Sequence, residues 1–155
     1  MGRLIVALSI ITVLRLGLLA GRARDGPIRM TAQELPFVVP ELAFEGTLKG
    51  GAPGETCALI VFFQPECPYC GQAADLERGG RGNAAHWVAD SRLDASAFGD
   101  QIHMTSSVHW SAQLWADFAV QGVPAAFVVT GRRVIDAWRY QGSETAGDIE
   151  DRCRQ

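Results

Sequence analysis

From Cys57 onward the apolar and polar positions fall into short alternating blocks. The segment "CALIVFF" (57–63) is a continuous apolar run with β-branched and aromatic content, the pattern of a central strand covered on both faces. Gln64-Pro65-Glu66 turns the chain, Pro68 suits a first helical position, and Gly79-Gly80 predicts where that helix stops. "HWVAD" (86–90) reads as the next strand, and Ser91 with Asp94 three residues on predicts a capped short helix to about Phe98. "QIHMTS" (101–106) is a further strand candidate, after which Trp110, Leu114 and Phe118 recur at helical spacing. Gly122-Val123-Pro124 breaks that helix, "AAFVVT" and "RVIDAWRY" flank Gly131 as a hairpin, and Ser143 is expected to cap a last short helix. Trp87, Trp110, Trp115 and Trp138 are read as packing residues rather than a cofactor box.

Ahead of this block, residues 25–56 hold Pro27, Pro36, Pro40 and Pro53 and the cluster "KGGAPGE". They predict an extended approach with short strands around Phe37–Val39 and Leu42–Phe44, and no separate domain. Residues 1–24 have a different character. Met1-Gly2-Arg3 is a short positive start, "LIVALSIITVL" (4–14) has the size of a signal h-region, and Gly21-Arg22-Ala23 offers small residues for cleavage. The alternatives are an uncleaved membrane anchor over Leu4–Ala20, interrupted by Arg15, or a buried helix. The expected organisation is an export signal or single membrane anchor at 1–24 and one domain at 25–155. Either export reading makes the protein extracytoplasmic, periplasmic or secreted, and puts its cysteines in an oxidising compartment.

Composition changes this picture in two places. A chain of 155 residues is long enough to bury a core without staples, and four cysteines are too few for a disulfide scaffold. The net charge of −3 hides an asymmetry, because Arg3, Arg15, Arg22 and Arg24 all precede the first acid, Asp25. From there on ten basic residues face 17 acidic ones, so no basic face is available for phosphates and nucleic acid is excluded as a partner.

The chemistry concentrates in "VFFQPECPYC" (61–70), where Cys67 and Cys70 bracket Pro68 and Tyr69. Structural zinc needs four ligands, and no second CxxC or CxxH pair exists; Cys57, Cys153, His86, His103 and His109 are scattered. Two intervening residues on a first helical turn let two sulfurs close an intramolecular bond. The first thiol lies at the helix N-terminus, where unpaired N–H groups and the dipole favour a thiolate. Cys67 is therefore the expected nucleophile and Cys70, one turn deeper, the resolving thiol.

Strand, cysteine pair, helix, strand, helix, Pro-led hairpin and final helix is also the order of the thioredoxin fold. "CPYC" at the end of a buried strand, with "GVPAAFVV" (122–129) downstream, resembles thioredoxin-like thiol-disulfide oxidoreductases. The extra strand and helix between them are similar to the exported TlpA-like branch. The resemblance spans residues 35–152 and is specific at Cys67, Pro68, Cys70, Val123 and Pro124. It implies a three-layer α/β fold with a central mixed sheet flanked by helices, and a protein-disulfide oxidoreductase that needs no metal and no cofactor. It further implies protein thiol or disulfide substrates, a membrane electron donor, and a cis-proline at Pro124 that sets the Val123 backbone beside Cys67 for a substrate strand, with Pro68 and Tyr69 flanking it. Thioredoxins proper carry a buried acid in the preceding strand and a tryptophan before the first cysteine; Val61 and Glu66 stand there instead. Glu66 is then the nearest proton acceptor for Cys70, and its charge would oppose a Cys67 thiolate. A TlpA-like relative with an opposed thiolate points to a reductant. The alternative reading is a metal carrier, with His103 and His109 as loose copper-ligand candidates, or a binding adaptor without turnover.

The topology that the resemblance implies also places Cys57 and Cys153. The second hairpin strand runs parallel to 57–63, so the closing helix returns toward the edge where Cys57 begins its strand. Ala146, Ile149 and Cys153 recur on one helical face. A structural Cys57–Cys153 disulfide is expected, against the alternative of two unpaired small core residues.

Overall fold

In the computed structural model, residues 31, 33–53, 57–79, 85–99 and 106–154 are described. The export signal or anchor expected at 1–24, residues 101–105 of the expected strand, and His103 lie outside them. No helix among the described residues is long and apolar enough to cross a membrane.

Seven strands form one mixed sheet: β1 (Phe37–Val38), β2 (Gly46–Lys49), β3 (Ala58–Phe62), β4 (His86–Ala89), β5 (Ser107–Trp110), β6 (Ala125–Thr130) and β7 (Arg133–Arg139). Their spatial order is β1-β7-β6-β3-β4-β5-β2. The centre β3-β4-β5 is parallel, and β6, β7, β1 and β2 pair antiparallel with their neighbours. Four helices cover the faces: α1 (Pro68–Gly79), α2 (Arg92–Phe98), α3 (Ala112–Asp117) and α4 (Ala146–Cys153). This is the three-layer, thioredoxin-like α/β architecture.

Strand alternation builds two cores. Leu59 and Val61 of β3 join Ala126 and Val128 of β6 under α1, α2 and α4, with Cys70, Ala73, Ala74, Phe98 and Ile149 closing that side. Ala58, Ile60 and Phe62 face the other way with Phe127, Leu114 and Phe118. β3 is buried at all five residues, which explains its unbroken apolar run. Each large side chain so buried contributes about 1.5–3 kcal/mol.

Three local expectations are corrected. The second early strand is Gly46–Lys49 rather than Leu42–Phe44. It is an edge strand whose backbone lies against Trp110, where a Cβ on Gly46 would come within 1.9 Å of the indole, so it needs no apolar pattern of its own. Leu42 and Phe44 pack on the second core without strand pairing. A parallel strand, β5, runs over Ser107–Trp110, so Trp110 ends a strand opposite Ala89 instead of opening a helix. The helix starts only after Ser111, whose hydroxyl accepts from Leu114 N–H. Thr145, not Ser143, caps α4, because only Thr145 has an acid three residues on: Asp148 returns a bond to the Thr145 backbone N–H and completes a capping box.

The β6–β7 hairpin turns on Gly131 and Arg132, with Gly131 at φ +60°, as a two-residue loop with glycine first requires. A bulge between Val128 and Val129 shifts the remaining register by one residue, so that Ala125 faces Arg139. Gly142 (φ +79°) then brings the following loop against α1. A Cβ there would lie 1.9 Å from the Ala73 carbonyl oxygen, so only glycine lets the loop pack on the helix that carries the cysteine pair.

Candidate functional site

β3 ends in the core at Phe62, and the turn through Gln64 presents Cys67 at the start of α1. Cys67 N–H donates to the Gln64 carbonyl at 3.2 Å, and Cys70 and Gly71 N–H donate to the Cys67 carbonyl at 3.1 and 3.4 Å. Cys67 is therefore the N-cap of α1 and Pro68 its first residue, where the missing N–H costs nothing. The two thiols are free and unequally placed: Cys67 is half-buried and Cys70 fully buried. Cys70 N–H points at the Cys67 sulfur at 3.3 Å, so the first sulfur sits over an open helix terminus. Burial first, and then the hydrogen bond to Cys67, push the Cys70 thiol far above the ordinary thiol range; the Arg139 charge works weakly the other way. Cys70 is thus a protonated, inward thiol at neutral pH.

The β6 side closes the site. The Val123–Pro124 peptide is cis, as is Leu35–Pro36. The Val123 carbonyl accepts from Cys67 Sγ at 3.5 Å, which sets this backbone beside the half-buried sulfur. Pro124 is buried, and its carbonyl accepts from Tyr140 N–H at 3.0 Å. Tyr69 is exposed on the outer side of the turn, with the Arg139 guanidinium 4.9 Å from its ring centroid. The structure therefore gathers Cys67, Pro68, Tyr69, Cys70, Val123 and Pro124. Glu66 is exposed on the turn.

Cys57 and Cys153 are joined in a disulfide, with Cα atoms 6.2 Å apart across a sequence separation of 96. This bond ties the start of β3 to the end of α4, away from Cys67 along the strand. Arg152 reinforces α4 by pairing with Asp136 and lying 4.0 Å over the Trp138 ring.

The structure does not bring His109 to the dithiol. His109 pairs in register with Val88, whose side chain belongs to the core opposite Cys70. Its Nε2 lies 3.0 Å from His86 Nδ1, its Nδ1 lies 2.9 Å from Thr47 Oγ1, and Phe44 stacks on it at 3.7 Å. Burial, then His86, lowers His109 to about 4, and burial lowers His86 too. Among the described residues no group of three or more His, Cys, Asp or Glu is placed to hold a metal ion.

Two residues near the site escaped the sequence reading. Glu77 is fully buried and accepts from Trp87 Nε1 at 2.9 Å and from Ser106 Oγ, fastening α1 to β4 and to the start of β5. The spacing Cys70, Ala73, Ala74, Glu77 is one inward helical face and could have revealed it. Seven residues place it about 10 Å along the helix from Cys70. Arg139 is the other; it reaches the rim only because the hairpin bulge shifts the register.

No protein-family model matches this chain, and no curated protein sequence does. Among solved structures it is similar to a thioredoxin-like protein from Aeropyrum pernix, at 13% identity and a TM-score of 0.46 over 66% of this chain and 78% of that one. It is similar also to the thioredoxin domain of a thiol-disulfide oxidoreductase from Bacteroides vulgatus, at 13% identity and 0.49 over 77% and 95%. A third is a thiol-disulfide isomerase from Corynebacterium glutamicum, at 11% identity and 0.47 over 75% and 93%.

Proposed function

We propose that this chain is a protein thiol-disulfide oxidoreductase working through Cys67 and Cys70, and that it acts outside the cytoplasm as a reductant. The observation that carries the reading is the asymmetry of the free pair. A half-exposed sulfur at a helix N-terminus lies 3.5 Å from the Val123 carbonyl, with a protonated partner buried one turn behind it.

The Cys67 thiolate attacks a substrate disulfide, forms a mixed disulfide and expels the substrate's other sulfur as a thiolate. Cys70 then gives up its proton and attacks the Cys67 sulfur. The substrate leaves with its second thiol, and a Cys67–Cys70 disulfide remains; two electrons have passed to the substrate. Glu66, the nearest acid in the sequence and exposed to water, relays the Cys70 proton. The backbone at Val123 pairs with the substrate strand, and Pro68 and Tyr69 border it. A dithiol carrier in the membrane returns the two electrons. The Cys57–Cys153 bond and the apolar segment after Arg3 support an oxidising, extracytoplasmic setting.

Insulin reduction with a dithiol donor tests the reading. Cys67→Ser should lower turnover by about a hundredfold or more, the scale on which loss of a nucleophile acts. Cys70→Ser should retain attack and accumulate a mixed disulfide detectable by mass. Equal trapping by both variants, or no turnover by the unaltered protein, would overturn it.

A further inference from the structure

Arg139 is the last residue of β7, opposite Ala125 and therefore next to Pro124 in the sheet. The bond from Tyr140 N–H to the Pro124 carbonyl fixes this strand end to the loop that faces Cys67. Its side chain is exposed, yet it is parked 4.9 Å over Tyr69, one residue from the helix start that follows the nucleophile. Among the described residues no carboxylate pairs with it. Arg152 and Arg154 behave differently: the first pairs with Asp136, the second with Glu150 and Asp151.

A solvated arginine on a strand end ordinarily spreads over many rotamers. Here the ring beneath it and the strand behind it favour one placement, so an incoming anion meets a partly positioned fork. The fork matches a carboxylate, which accepts two parallel N–H bonds. Among the described residues no ion pair competes for this guanidinium, so an acid carried by the substrate can take it.

Resting on the oxidoreductase reading above, we propose that Arg139 is the specificity residue of this site, and that it selects protein substrates carrying an Asp or Glu within two residues of the reacting cysteine. Tyr69 is then the support that aims it. The rim is polarised, since exposed Glu66 precedes Cys67 and disfavours an acid on its own side; the preference should therefore depend on which side of the substrate cysteine carries the acid.

The test uses disulfide-linked peptide dimers with Glu, Gln or Lys placed in turn at each of the two positions on either side of the cysteine, reduced by the full protein. At the best position kcat/KM should favour Glu over Gln by roughly three- to tenfold, the range of a partly desolvated ion pair. The ratio should shrink as salt is raised from about 0.01 to 1 M, a measurement that needs no variant. Arg139→Gln should bring the ratio to about one, Arg139→Lys should restore part of it, and Arg139→Glu should invert it toward Lys. Reduction of all peptides at equal rates, or a preference that survives Arg139→Gln, would overturn the role of Arg139 while leaving the oxidoreductase reading intact. Reduction of none of them would remove the reading on which it rests.

Discussion

Cys57 stands one residue before β3 and Cys67 five residues after it, so one short strand separates two cysteine environments with opposite chemistry. At the start of the strand, Cys57 is bonded to a residue 96 positions away on the closing helix. After its end, Cys67 and Cys70 are three residues apart on one helical turn, free, and graded from half-exposed to buried. A bond between Cys57 and Cys153 removes freedom from most of the unfolded chain and so stabilises the fold. A bond between Cys67 and Cys70 closes a very small loop and stabilises little. Its making and breaking are governed by which sulfur can ionise and which can be reached. The same residue type thus serves stability or exchange according to loop length, helix terminus and burial.

Removing the long-range bond should have the largest effect. A Cys57→Ser/Cys153→Ser variant should lose about 4 kcal/mol of unfolding free energy in the chain-entropy account. A denaturant titration would read it, and insulin turnover at Cys67 should stay unchanged in the folded protein. A fall in turnover matching the fall in stability would mean that the two pairs are not separable.

A smaller effect comes from the buried His109 imidazole on the opposite face of the sheet. His109 is held neutral, lowered from 6.5 to about 4. A depressed histidine contributes stability above its unfolded value and loses it as pH falls toward the folded one, because the unfolded chain takes up the proton first. Between pH 6.5 and 4 the fold should lose roughly 3 kcal/mol from this source. His109→Gln should flatten that part of the pH profile without altering the pH dependence of thiol exchange, if this face is as remote from the dithiol as its register with Val88 indicates.

The sequence carried the centre of this fold more clearly than its edges. β3 announces itself because both its faces are buried, and α1 because Pro68 and Gly79 mark its ends in chemistry that depends on neighbours alone. Edge strand β2 is not legible, since a strand packed by its backbone against Trp110 needs no alternation. Trp110 reads as helical because a strand residue four positions before Leu114 mimics helical spacing. At the site, the CxxC spacing and the Val123-Pro124 dipeptide were legible as local motifs. Arg139 was not, because its place at the rim depends on a one-residue bulge, and a tight hairpin without it would set Trp138 opposite Ala125. Glu77 was legible in principle, but a charged residue on an inward helical face looks solvated until Trp87 and Ser106 are known to meet it.

The free pair serves as the exchange centre and the crosslinked pair as a structural clamp. Differential alkylation of the four cysteines across a graded thiol-disulfide potential, read by peptide mass, tests it directly. Cys67 and Cys70 should convert together as a two-electron couple toward the reducing end of the roughly −270 to −120 mV range, while Cys57 and Cys153 stay bonded until below about −300 mV. Opening of Cys57–Cys153 at or above the potential of the Cys67/Cys70 couple would contradict it.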